Sequence, residues 1–139
     1  MSAQINLPRQ VQDVMTREVV TLTPPQPFTE ALALLARHRF RHLVVIETDA
    51  RLAGVISDRD MLHFMSSGAD LKLATVSDVM WHDVVTIRPE TLLSEAAGQM
   101  LSRRINCLPV IDENGGLCGI LTSTYLLQAF QRMQEGVEG

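Results

Sequence analysis

VQDVMTREVVTLTP, residues 11–24, returns as VSDVMWHDVVTIRP, residues 76–89, at an offset of 65 positions held without a gap. Asp13, Val14 and Met15 recur as Asp78, Val79 and Met80, Pro24 as Pro89, and Glu30-Ala31 as Glu95-Ala96. Further on, Val45-Ile46 match Val110-Ile111, Leu52 matches Leu117, Gly54 matches Gly119 and Leu62 matches Leu127. A supersecondary unit repeated in this way usually cannot bury its own apolar face, so the copies are expected to share an interface.

Each copy follows one plan. A β-branched stretch, Val19 to Leu22 or Val84 to Ile87, reads as a short strand that ends near a proline. Helical spacing follows, with Ala31, Leu34 and Leu35 forming an apolar stripe in the first copy and Ala96, Met100 and Leu101 in the second. The runs Leu43 to Ile46 and Leu52 to Ile56, and their counterparts Leu108 to Ile111 and Leu117 to Leu121, read as hairpins. The turn Asp112-Glu113-Asn114-Gly115-Gly116 is a strong hairpin signal, because Asn-Gly and Gly-Gly tolerate positive φ; Thr48-Asp49-Ala50-Arg51 is a weaker one. Closing helices are expected from about Asp58 to Ser66 and from about Ser123 to Gln134.

Composition narrows the function. The 139 residues amount to one ordinary domain, able to bury roughly two-thirds of the unfolded surface without a staple. Cys107 and Cys118 sit in predicted neighbouring strands and read as small buried hydrophobes. The longest purely aliphatic run, Leu43 to Ile46, is far short of the roughly 20 apolar residues of a membrane span, so no membrane insertion is expected. The opening MSAQINLPRQVQDVM lacks the apolar core of a secretory signal, and a cytoplasmic location is the expectation. Net charge is −4, and the basic residues cluster only locally at Arg37, His38, Arg39, Arg41 and His42. That disfavours nucleic-acid binding, which leans on a broad basic face, but not a small phosphorylated ligand.

An enzyme is not expected. No nucleophile stands with a base in motif context, and there is no Cys/His ligand spacing and no phosphate loop of the Walker type, so no catalytic residue, metal or required cofactor is assigned. Chemistry concentrates instead in GVISDRD, residues 54–60. Gly54 opens it where a side chain would crowd a packed neighbour. Ser57, at a strand end, can offer a hydroxyl to phosphate or ribose, and Asp60, at a helix start, can accept from both ribose hydroxyls. A helix N-terminus with free N–H groups would favour an anion nearby. The same residue types also suit a helix cap, and capping and binding are compatible.

The duplicated order of strand, helix, two strands and helix, with DVM twice, LPVIDENGGLCG at residues 108–119 and GVISDRD, resembles a tandem pair of cystathionine-β-synthase (CBS) domains. The implied fold is α/β (α+β), two tandem β-α-β-β-α CBS repeats packed about a pseudo-twofold axis, with the opening strand region of each swapped next to the linker. The boundaries drawn are an N-terminal extension 1–10, repeat one 11–66, a linker 67–75, repeat two 76–135 and a tail 136–139. The resemblance implies a stand-alone sensor that binds an adenine nucleotide, AMP, ADP or ATP, in the cleft between repeats and signals to a separate effector.

By that resemblance the site would use Ser57, Arg59, Asp60, Arg41 and His42, with Trp81, Val84, Ile105 and Asn106 supplying strand-edge backbone. A second site would use Thr16, Val19, Phe40, Thr122, Thr124 and Tyr125. There the sequence departs from the pattern, since Tyr125 stands where Asp60 stood and a phenol cannot offer ribose two acceptors. A ligand-free structural adaptor or dimerisation module for an enzyme or transporter is the alternative. A homodimer is expected through Met61, Leu62, Phe64 and Met65 of one closing helix and Leu126, Leu127, Phe130 and Met133 of the other.

Overall fold

The computed structural model describes residues 8–38 and 41–138. A 3₁₀ turn at Val11–Asp13 is followed by β1 (Thr21–Leu22), α1 (Phe28–His38), β2 (His42–Ile46), β3 (Leu52–Ser57) and α2 (Asp58–Ser66). After the linker come α3 (Val76–Val79), α4 (Leu93–Arg103), β4 (Cys107–Ile111), β5 (Leu117–Thr122) and α5 (Ser123–Glu138). The opening strands are shorter than their β-branched runs suggest. Only Thr21 and Leu22 pair, in parallel with Val44 and Val45, and in the second copy a single parallel bridge joins Ile87 to Val110. Pro24 and Pro89, which cannot donate to a ladder, stand just beyond.

The two hairpins reach the same turn by different means. Gly115 takes φ of 84°, and its counterpart Ala50 is held at 69°, a left-handed conformation that costs a residue with a Cβ roughly 1–3 kcal/mol. Glu47 and Arg51 close the first turn through the Glu47 N–H to the Arg51 carbonyl at 2.8 Å. This explains why its sequence signal was weak.

The chain divides into two compact units, and neither coincides with one sequence copy. Of the described residues, one unit takes those up to Arg17, then Thr86–Glu113 and those from Cys118 on; the other takes those of Glu18–Val85 with Asn114–Leu117. Each unit therefore combines the DVM segment of one copy with the hairpin and helices of the other. The short strands stay with their own copies, so the exchanged piece is the DVM turn and not the strand that the sequence pointed to.

In the second of these units the core is built from Leu22, Phe28, Ala31, Leu35, Leu43, Val45, Ile56, Met61, Ala74, Val76 and Met80. Ala31 and Leu35 are the buried pair of the α1 stripe, one helical turn apart, and Ala96 and Met100 repeat this in α4. Leu101, counted with the α4 stripe from the sequence, is 80% exposed because it lies off that face. Met61 is buried, so it is internal and corrects the expectation of a dimer contact there, and Phe64, half-buried, packs on the core with its ring 5.4 Å from that of Phe28.

The linker is laid onto the same unit. The Phe28 N–H donates to the Ala74 carbonyl, Val76 N–H to Gln26 and Ser77 N–H to Pro24, at 2.8–2.9 Å. The other unit repeats the arrangement, with Leu93 N–H on Arg9, Val11 N–H on Thr91 and Gln12 N–H on Pro89. Each DVM aspartate then locks its turn. Asp78 Oδ2 accepts the Thr75 N–H at 2.8 Å, and Asp13 Oδ2 accepts those of Gln10 at 2.9 Å and Arg9 at 3.0 Å. These backbone donors hold the Asp13 carboxyl below its ordinary 3.8.

The residue after each DVM adds one rung to a hairpin strand. Trp81 and Val55 exchange both backbone hydrogen bonds, at 2.8 and 3.1 Å, and Thr16 and Ile120 do the same at 2.9 Å each. The approach is so close that only glycine fits beside it. A Cβ on Gly54 would stand 2.7 Å from the Trp81 carbonyl oxygen, and one on Gly119 would stand 2.6 Å from that of Thr16, with Met80 or Met15 sulfur 3.0 Å away.

These contacts fix the sign of a glycine-to-alanine series. Gly54→Ala and Gly119→Ala should each lower stability by about 1–3 kcal/mol, because main chain and not a flexible side chain must yield. Gly98→Ala, inside α4 with nothing within 4 Å of the added methyl, should raise stability by roughly 0.5–1 kcal/mol. Urea unfolding of the three variants checks the order, and a neutral Gly54→Ala would refute the close approach.

Candidate functional site

The start of β2, the end of β3 and the start of α2 meet at one place. β2 and β3 run antiparallel with His42 opposite Ser57 and Val44 opposite Val55. Opposed residues share a sheet face, as do residues two apart, so His42, Val44, Val55 and Ser57 lie on one face. Leu43, Val45 and Ile56 lie on the other, in the core with α1 and α2.

Ser57 caps α2 reciprocally. Its Oγ accepts the Asp60 N–H at 3.0 Å, and Asp60 Oδ2 accepts the Ser57 N–H at 2.9 Å. The Asp58 N–H donates to the Arg41 carbonyl at 2.9 Å, and the Arg59 N–H to Asp58 Oδ1 at 2.7 Å. Every N–H from Ser57 to Asp60 is thus engaged, which corrects the expectation of free donors at this helix start. What remains for an anion is the positive end of the helix dipole with the exposed Arg41 and Arg59 side chains. A carboxylate has about four lone-pair positions, so Asp60 keeps acceptor capacity beyond its cap.

Four charged residues, Arg41, Asp58, Arg59 and Asp60, therefore stand with Ser57 and His42 in a stretch of two strand ends and one helical turn. Asp58 is the member that the sequence reading left out; its signal was the first of the two acids in S-D-R-D. Trp81 is 63% exposed beside Val55, and Val84, half-buried, closes a turn to the His82 carbonyl at 3.0 Å. Ile105, half-buried, and Asn106, exposed, belong to the other unit.

The equivalent place in the other unit is chemically different. The Ser123 N–H donates to the Asn106 carbonyl at 2.9 Å and the Tyr125 N–H to Thr122 Oγ1 at 3.2 Å, the counterparts of the Asp58 and Asp60 N–H bonds of the first copy. Tyr125 has no carboxylate with which to return the cap. Asn106, Cys107, Thr122, Ser123, Thr124 and Tyr125 replace Arg41, His42, Ser57, Asp58, Arg59 and Asp60, and every formal charge is gone. Thr16 is half-buried on its Ile120 rung, Val19 is half-buried, and Phe40 lies outside the described residues. Burial pushes the Cys107 thiol up to about 12, which keeps it protonated and unreactive. Among the described residues no group of three or more His, Cys, Asp or Glu is arranged for a metal ion.

A model of the CBS domain family matches residues 11–67 and again 76–132. The chain belongs to the CBS domain family. It is 32% identical to the homoserine O-acetyltransferase of Methanohalophilus mahii over 113 residues, 81% of this chain and 23% of that protein. The chain spans about a quarter of the length of the enzymes it matches in this way. Among solved structures it is similar to the Vibrio cholerae protein assigned to acetoin utilization, AcuB, with TM-score 0.85 and 30% identity, covering 95% of this chain and 97% of that one. It is also similar to CBSX2, an Arabidopsis thaliana protein, solved in complex with AMP, with TM-score 0.80 and 31% identity over 90% of this chain and 98% of that one. The mixed α/β units match these CBS pairs. No helix among the described residues is long and apolar enough to cross a membrane.

The position of His42 gives the CBS pair a measurable pH response. Burial pushes its imidazole below the ordinary 6.5, and Arg41 adds to this; the Asp58 and Asp60 carboxylates oppose it. The folded state then holds fewer protons than the unfolded chain in the window just below 6.5, so stability rises with pH through that window and is lost as pH falls. Melting temperatures should drop between about pH 7 and about pH 5.5, and the drop should be smaller in His42→Gln. Parallel curves for both proteins would show that His42 is not the group responsible.

Proposed function

We propose that the chain is a regulatory module that binds an adenosine-containing nucleotide, AMP, ADP or ATP, at the charged hairpin end of the first copy and relays its occupancy to a separate effector protein. The observation that carries this reading is that Ser57 and Asp60, joined in a cap, stand with Arg41 and Arg59 within one strand end and the first turn of one helix. Asp60 would accept from the ribose hydroxyls, Ser57 would donate to ribose or phosphate, and Arg41 and Arg59 would neutralise phosphate. The AMP complex of CBSX2 supports a nucleotide of this kind. No step of covalent chemistry is required.

A ligand-free adaptor is favoured by one observation: Ser57 and Asp60 already satisfy one another as a cap. Calorimetry separates the two readings if a second cap serves as control. Asp60→Ala and Asp13→Ala each remove a carboxylate that accepts backbone N–H groups at a helix or turn start, at a cost of about 1 kcal/mol. Only Asp60→Ala should abolish binding of AMP, ADP or ATP. Wild-type affinity in Asp60→Ala, or no binding to the wild type, would sink the nucleotide reading.

The module is also inferred to form a homodimer through α5. Support comes from Leu127 and Phe130, three positions apart on one helical face and 70% and 59% exposed. Light scattering at tens of micromolar protein should give twice the chain mass, and Phe130→Glu should return the monomer without loss of helicity. A monomeric wild type would rule this contact out.

A further inference from the structure

The chain has a single tryptophan, and its setting is not that of a core residue. Trp81 exchanges both main-chain hydrogen bonds with Val55, so its backbone is fixed as an additional rung on the free side of β3. Its indole N–H donates to the Asp83 carbonyl at 3.1 Å, which satisfies the only polar atom of the side chain and ties the ring to its own turn. Yet 63% of the residue is exposed. A large ring held in place with its polar edge satisfied and its π surface in water is pre-organised to accept a flat partner.

Pairing geometry says which side of the sheet the ring serves. Residues that exchange backbone bonds in an antiparallel rung project to the same face, so Trp81 shares the face of Val55, and with it the face of Ser57 and His42. Val55 and Ser57 are two residues apart, about 7 Å along the strand. That is the span of a nucleoside from its sugar hydroxyls to its base. At the matching rung in the other copy stands Thr16, which has no ring.

We propose that Trp81 selects the base of the bound nucleotide, its indole stacking on a purine while the sugar lies toward Asp60. The inference rests on the nucleotide reading above, and it adds a side-chain contact and a specificity to it. Stacking strength grows with the area of the base, so purine nucleotides are favoured over pyrimidine ones; a phosphorylated sugar without a base gains nothing from Trp81.

The test uses the whole chain, with AMP, UMP and ribose 5-phosphate as probes. AMP should change the emission of the single indole, and AMP should bind more tightly than UMP. Trp81→Leu, which keeps an apolar side chain on the same rung, should weaken AMP roughly tenfold or more, reduce the AMP-to-UMP preference and leave ribose 5-phosphate unchanged. Trp81→Phe should retain most of the AMP affinity. If AMP binds the wild type and Trp81→Leu within twofold of each other and leaves the emission unchanged, the stacking role is wrong and the nucleotide reading survives. If the wild type binds none of the three probes, both fall.

Discussion

One contact recurs at the centre of both units: a main-chain carbonyl brought against a strand glycine, Trp81 on Gly54 and Thr16 on Gly119. Much of the rest is arranged to make that approach possible. The DVM aspartate fixes the turn that delivers the carbonyl, the DVM methionine covers the glycine with its sulfur, and the residue beyond pairs with the strand. Because the turn comes from one sequence copy and the strand from the other, neither copy is a self-contained folding unit.

The repeat, the hairpins and the helices were legible because they rest on periodicity and on local turn chemistry, which a single sequence carries. Ala31 with Leu35 and Ala96 with Met100 are buried as their helical spacing requires. What could not be read was distance across the fold. The sequence indicated that a side chain at Gly54 would crowd a neighbour, but not that the neighbour was the Trp81 carbonyl. Nor could it tell Met61, which is buried, from Leu62, which is 67% exposed, inside one short amphipathic helix.

The candidate site shows the same division. Ser57 and Asp60 were identified by residue type and spacing, and the structure brings them together with Arg41 and His42. The free helix N–H groups were not there to be found, because the residues chosen for ligand chemistry consume them. This is a general limit: a hydroxyl three residues before a carboxylate is the pattern of a cap as much as of a sugar contact, and only the neighbouring charges distinguish a helix start that is merely closed from one that can also hold an anion.

Those neighbouring charges are where the two copies have diverged. Two bonds recur at the helix start of both copies: the Asp58 N–H on Arg41 matches the Ser123 N–H on Asn106, and the hydroxyl cap of Ser57 matches that of Thr122. Packing therefore does not require the charged set, since an uncharged one supports the same geometry. Arg41, Arg59 and Asp60 are replaced by Asn106, Thr124 and Tyr125 with the scaffold intact, and Trp81 by Thr16 on the same rung. Residues that the fold does not need, gathered in one copy on one strand end and one helical turn, are residues whose use must lie in what the surface meets. In the proposed reading, a phosphorylated ligand with a flat base would use the cations, the carboxylate and the ring together.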